Sequence, residues 1–516
     1  MKRKISLIAL LMAILMVFSA CGSGGSNSKE ADSSEATAST ANAAEKTKAE
    51  TQGPPVDLTM AFLVTGSIPA DLQLVEDEVN KIVTPAINAK IKLMPLNFGA
   101  AMQQYNLMLS SGEKLDLMIT FPTTYTSLVG QGRIQEIGPL LDEYGQGVKD
   151  ALGNYLKGSM VNGKIYGVRP ISEIGGNGGF VVRKDIVDKY GIDLSGIKTF
   201  SDIGNVLKAI KDKEPNAYPL GISSQGMSIL QVEASFKYDT LSDSFGVLMD
   251  YGQDLKVVNY FESQEYKDKL KLMRDWYQKG YIMQSIATSK EDQHTLIKTG
   301  KVYSYISPSK PGIATQESAQ NGYDCYVQEY SKPFASTFNV SLWQWVVPVS
   351  CKTPDKAVQM LNLMYTNADL ENLLAWGIEG KHYEKKSDGT IGFPSGVTDK
   401  TSGYFTNQPW MFGNEFLTHV WTGNPADIWE QTKKFNESAV ISKAMGFAFD
   451  STSVKSEVVA LNNIWQQYRM GLENGAVDPE KIYPQFISKL KAAGIEKVIA
   501  EKQKQLDAWA QQNNVK

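Results

Sequence analysis

Apolar positions divide the chain into three regimes. Residues 5–20 are uncharged and mostly aliphatic, behind the basic trio Lys2, Arg3 and Lys4. Residues 22–55 contain no Val, Ile, Leu, Met, Phe, Tyr or Trp. From Val56 onward apolar residues return at regular spacing. The first regime is short for a membrane span, which needs about 20 residues. Its order of charge, apolar run and small residues (Ser19, Ala20) reads as a signal peptide over residues 1–20. The second regime cannot bury enough surface to fold. Residues 21–55 therefore read as a tether, with an r.m.s. reach of roughly 30 Å as a random coil.

The third regime opens with alternation over Val56–Val64, a strand. Leu72, Val75, Val79, Ile82 and Val83 then share one helical face. A strand over Ile91–Leu96, a helix over Gly99–Ser110 with Met102, Tyr105 and Leu109 in register, and an apolar strand over Leu115–Thr120 follow. Nearly continuous apolar strands lie inside parallel sheets, so this stretch predicts β-α-β-α-β and an α/β lobe. Asn162-Gly163 signals a hairpin within Val161–Tyr166. Thr199 with Asp202 marks a helix start, and Ile203, Val206, Leu207 and Ile210 form its stripe. Further on come a helix over Tyr266–Tyr277, a strand over Val302–Ile306 and a strand over Ser341–Val349. On that last strand Trp343 and Trp345, two apart, share a face. Pro354 opens a helix reaching Tyr365, and Ile495, Val498, Ile499, Leu506 and Trp509 form a docking stripe near the C-terminus.

Some 460 residues beyond the tether are too many for one ordinary core and imply two lobes. Net charge is −4 with no Lys/Arg-rich run, which argues against nucleic acid. Cys325 and Cys351 lie in no CxxC and are expected as separate buried thiols. The isolated His294, His382 and His419 offer no zinc spacing. Ser111-Gly-Glu-Lys114 and Lys298-Thr-Gly300 match the S-x-x-K and K-T-G motifs of acyl transferases. The S-D-N motif is absent, however, and K-T-G precedes a strand instead of lying on one. No catalytic residue is assigned, and no cofactor or metal is expected.

Cys21, directly after Ser19-Ala20, resembles the lipobox cysteine of bacterial lipoproteins, with Phe18 where Leu is commonest. That resemblance implies lipidation at Cys21, and dual acylation would anchor the chain stably. Leu107–Asp116, Val161–Tyr166, Gly377–Tyr383, Trp410–Asn414, Gly446–Asp450 and Glu501–Gln505 resemble segments of the solute-binding lipoproteins of bacterial ABC importers. Within that family the chain looks like the large Gram-positive carbohydrate-uptake class with an extended C-terminal domain. The resemblance implies an α/β, two-lobed periplasmic-binding-protein-like fold with crossing strands and a helical C-terminal part. Lobe 1 is expected from residues 56–167 plus 344–395, and lobe 2 from 168–343 plus 396–516. Crossings are expected near Tyr166–Glu173 and Trp343–Val349. The implied protein is a monomer at the extracellular face of the membrane that hands an oligosaccharide to permease subunits. Peptide or another solute remains an alternative ligand. No calcium loop of D-x-D-x-D-G type is found.

Sugar rings stack C–H faces on aromatic rings, and their hydroxyls need planar polar partners. Trp343, Trp345, Trp376, Trp410 and Tyr125 are the candidate platforms. Glu173, Gln225, Glu379 and Asn414 are the candidate polar partners, with Glu173 alternatively pairing Arg169.

Overall fold

The computed structural model describes residues 53–516 except Gly66, Pro122, Thr123 and Gln225. Cys21, the signal peptide and most of the tether lie outside the described residues.

The chain begins with β1 (Val56–Val64), α1 (Leu72–Ile87), β2 (Ala89–Asn97), α2 (Phe98–Ser111) and β3 (Leu117–Ile119). β1 is parallel to both β2 and β3. Its last seven residues are buried, as a central strand covered on both faces requires. β2 is the edge: Lys90 and Lys92 face solvent, and Pro95 sits where no ladder donor is needed. The buried Asp116 carboxylate accepts the Thr59 N–H at 2.8 Å and fixes β3 against β1. The predicted β-α-β-α-β order is observed. Met102, expected inward, is 39% exposed because the buried face of α2 carries Ala101, Tyr105 and Met108.

Next come β4 (Gly167–Val168), β5 (Asn177–Arg183), β6 (Tyr218–Leu220), β7 (Val302–Ser309) and β8 (Cys325–Glu329). After them lie α3 (Thr337–Ser341), β9 (Trp345–Val346), α4 (Pro354–Thr366) and α5 (Ala368–Trp376). The last helices are α6 (Ile428–Ser438), α7 (Lys455–Leu472), α8 (Pro479–Ala492) and α9 (Ile495–Gln512). The first sheet runs β2-β1-β3-β9-β4 and the second β8-β5-β7-β6. Each sheet has its own apolar core. This is the expected two-lobed α/β architecture.

The lobes are joined three times. The first runs over residues 169–176, between β4 of the first sheet and β5 of the second, and overlaps the expected Tyr166–Glu173. The second spans 333–344, slightly earlier than expected, since Trp345 already pairs with Ile119 and Val168 in the first sheet. The third, residues 413–442, lies later in the chain than the switch of lobes expected at residues 395–396. It pairs Asn414 beside Ile171 and Val440–Ile441 beside Phe334–Ala335. Tyr404, Met411 and Phe412, beyond the expected boundary at residue 395, pack in the first core. Cys325 and Cys351 are free and buried, one in each core.

Candidate functional site

Open α/β sheets present ligand positions beyond the C-terminal ends of parallel strands. Here Ile68 follows β1, Phe98 follows β2 and Phe121 follows β3. Ile68 is 59% exposed and Phe98 36% exposed. Trp343 reaches the same place from the second crossing, its ring 5.9 Å from Phe98 and 6.1 Å from Phe121. Trp410 packs at 5.2 Å from Trp343. Phe98 meets Phe121 edge-on at 5.3 Å. These four rings form an aromatic floor, and Phe338 on the same crossing adds a 44%-exposed ring nearby in sequence.

Trp343 has φ 49°, a left-handed backbone that bulky residues rarely adopt and that costs of order 1–3 kcal/mol. Its neighbour Gln344 imposes it. Gln344 is fully buried; its carbonyl accepts the Thr120 N–H at 2.8 Å, and its N–H donates to Thr120 Oγ1 at 3.2 Å. Ser159 Oγ donates to Gln344 Oε1 at 2.7 Å. The chain just after Trp343 is thereby fixed, and the half-buried indole packs against the edge of the first core.

A polar cluster stands at the lobe junction. The Glu173 carboxylate accepts from Lys310 Nζ at 2.6 Å. Glu415, on the third crossing, is buried, and burial with the Glu173 charge beside it pushes its carboxyl up to about 8. Burial pulls the Lys310 ammonium down, but Glu173 and Glu415 reverse this and leave it above the ordinary lysine value. Arg169, also buried, donates to the Asn339 carbonyl at 3.1 Å and so ties the first crossing to the second. Such a cluster can meet hydroxyls or hold the crossings in register.

The structure thus brings Trp343 and Trp410 together and sets Glu173 in the junction. The Glu173 carboxylate pairs with Lys310, and Arg169 reaches only its backbone carbonyl, at 3.4 Å. Five other expected positions have their side chains engaged elsewhere. Trp345 is fully buried in the first sheet and donates its indole N–H to the Met411 carbonyl at 2.8 Å. Trp376 is 3% exposed and packs at 5.2 Å against Trp421 in a satellite core, with its N–H on the His419 carbonyl. Tyr125 is 2% exposed, and its hydroxyl donates to the Ser159 carbonyl. Asn414 uses its side chain to cap the Phe416 N–H at 3.1 Å. Glu379 pairs with Lys385 at 3.0 Å on the satellite loop. Gln225 lies outside the described residues. The sequence reading missed Phe98, Phe121, Phe338 and Lys310. An aromatic residue just past each of two parallel strands was the available signal. Among the described residues no group of three or more His, Cys, Asp or Glu side chains could hold a metal ion.

Two α/β lobes, three crossings and an aromatic floor at the strand ends define a two-lobed binding protein. The sequence profile of the bacterial extracellular solute-binding protein family matches residues 77–371, more than half of the chain, and the chain belongs to that family. A domain of unknown function (DUF3502) matches residues 443–511. A carbohydrate ABC transporter substrate-binding protein of Streptococcus pneumoniae serotype 4 is 29% identical over 507 residues, 97% of each chain. A polygalacturonan/rhamnogalacturonan-binding protein of Bacillus subtilis is 26% identical over 50% of this chain and 53% of its own. The crystal structure of the N-glycan transport solute binding protein NgtS of Streptococcus pneumoniae superposes with a TM-score of 0.77 at 27% identity. It covers 89% of this chain and 99% of its own. NgtS has also been crystallised with Man5GlcNAc.

Proposed function

We propose that the protein captures an oligosaccharide between its lobes and delivers it to the permease of an ABC importer. It does so without chemical turnover, as a monomer held outside the cell by lipid on Cys21. The observation that carries this reading is the floor of Trp343, Trp410, Phe98 and Phe121 at the parallel strand ends. Flat aromatic faces suit sugar C–H faces, and the junction carboxylates and lysine suit hydroxyls. Relatives described as carbohydrate or N-glycan binders support the ligand class. Hinge closure of lobes around a ligand supplies the capture step. The leader, with Cys21 after Ser19-Ala20, supports export and anchoring.

Thermal unfolding of the mature protein with Man5GlcNAc, oligogalacturonides and peptides tests the reading. A bound ligand at a hundred times its dissociation constant adds about 2.7 kcal/mol of stability. The glycan should be recovered unchanged in mass after prolonged incubation. Stabilisation by peptides alone, or conversion of the glycan, overturns the proposal.

A further inference from the structure

One continuous run of buried polar contacts links the C-terminal helices to the crossing that carries Trp343. Lys502, on α9, is fully buried. Its ammonium has three hydrogens and finds three acceptors: Asp243 Oδ1 at 2.7 Å, the Gly246 carbonyl at 2.9 Å and the Thr240 carbonyl at 3.4 Å. All three belong to one turn, residues 239–248. Leu241 (φ 50°) and Ser242 (φ 87°) are both left-handed there, a conformation such residues hold only under constraint. Gly246 (φ 102°) is packed so closely that a Cβ would lie 2.8 Å from Val257 and 3.0 Å from Ile499 of α9. Leu241 and Leu248 of the turn share an apolar cluster with Ala444, Phe447 and Leu506.

The turn closes where Asp239 and Leu248 exchange backbone hydrogen bonds at 3.0 and 2.8 Å. The Asp239 carboxylate is fully buried and points at the second crossing. It accepts from the Thr337 N–H at 2.9 Å and from Thr337 Oγ1 at 2.6 Å. Thr337 begins α3, which exposes Phe338 and runs directly into Trp343. A buried ion pair adds little net stability over an apolar replacement. It does impose geometry, because every donor must meet its acceptor.

We infer that the segment matched as a domain of unknown function braces the binding platform: Lys502 holds the 239–248 turn so that Asp239 clamps α3, and with it Phe338 and Trp343. The inference rests on the reading of Trp343 as a platform. Lys502, Asp243 and Asp239 are positioning residues in it.

Hydrogen exchange by mass spectrometry, paired with Man5GlcNAc titration, tests the brace. The double variant Lys502→Met/Asp243→Asn removes both charges of the pair together. Thr337→Val, which deletes one hydroxyl, covers the case in which the double variant does not fold. Amides of residues 337–345 should exchange about tenfold faster while those of β1–β3 are unchanged, since local opening is read segment by segment. Affinity for the glycan should fall with little loss of melting temperature. Unchanged exchange at 337–345 in a folded variant overturns the brace. If exchange rises but the wild type takes no glycan, the brace stands and the carbohydrate reading falls.

Discussion

Trp343 holds its ring beside Trp410, Phe98 and Phe121, whereas Trp345, two residues on, is sealed in the first sheet with its N–H on Met411. Their substitutions should therefore separate. Trp345→Ala is expected to cost about 3–5 kcal/mol of stability by urea unfolding. Trp343→Ala and Trp410→Ala should each weaken glycan binding about tenfold, or about 1.4 kcal/mol, at near-constant stability. A destabilised but fully binding Trp343→Ala would remove it from the platform. The sequence placed both tryptophans on one face because strand alternation was assumed to run through them. The left-handed backbone at Trp343 breaks that period, and nothing local announces it: no Gly or Asn stands there. What imposes the turn is Gln344, through Thr120 and Ser159, which are remote in sequence.

At the scale of elements, the strand–helix order of the first lobe was legible because burial on one or both faces writes a period into the residues. The place of the third crossing was not, because backbone and amide groups, not apolar side chains, fix it. The Ile171 N–H donates to the Gly413 carbonyl, and the Glu415 N–H donates to that of Ile171. Asn436 of α6 completes the join by accepting the Ile174 N–H and donating to the Ser172 carbonyl. Such bonds leave no apolar pattern. This crossing also carries a titration. Burial and Glu173 raise Glu415 from 4.5 to about 8, so between those values the folded state keeps a proton that the unfolded state has released. Stability from this group is thus present below about pH 4.5 and lost as pH climbs toward 8. Glu371 flanks the same segment, accepting the Gly413 N–H, and burial raises its carboxyl in the same direction. Glu415→Gln keeps the shape and removes one titration. Melting curves across this range should show the variant gaining on the wild type as pH rises. Parallel curves would mean that Glu415 is ionised throughout.

For the whole molecule, the two lobes followed from chain length and the family from segments that resemble it, but the lobe boundary did not. Tyr404, Met411 and Phe412 pack in the first core after the satellite of Ala375, Trp376, Tyr383 and Ile391, and chain order alone cannot show that return. The proposed anchor is tested on the full chain: Cys21→Ser should move the protein from the membrane fraction to the medium. Retention of the mutant in the membrane would refute lipid attachment. The three crossings carry a final consequence. Two connections between rigid bodies permit both bending and twisting, whereas a third removes most of the twist. Relative motion of the lobes is then expected to run chiefly along one hinge-bending coordinate. Selectivity among sugars would lie in how long the shut arrangement lasts, since every ligand must travel the same arc to reach it.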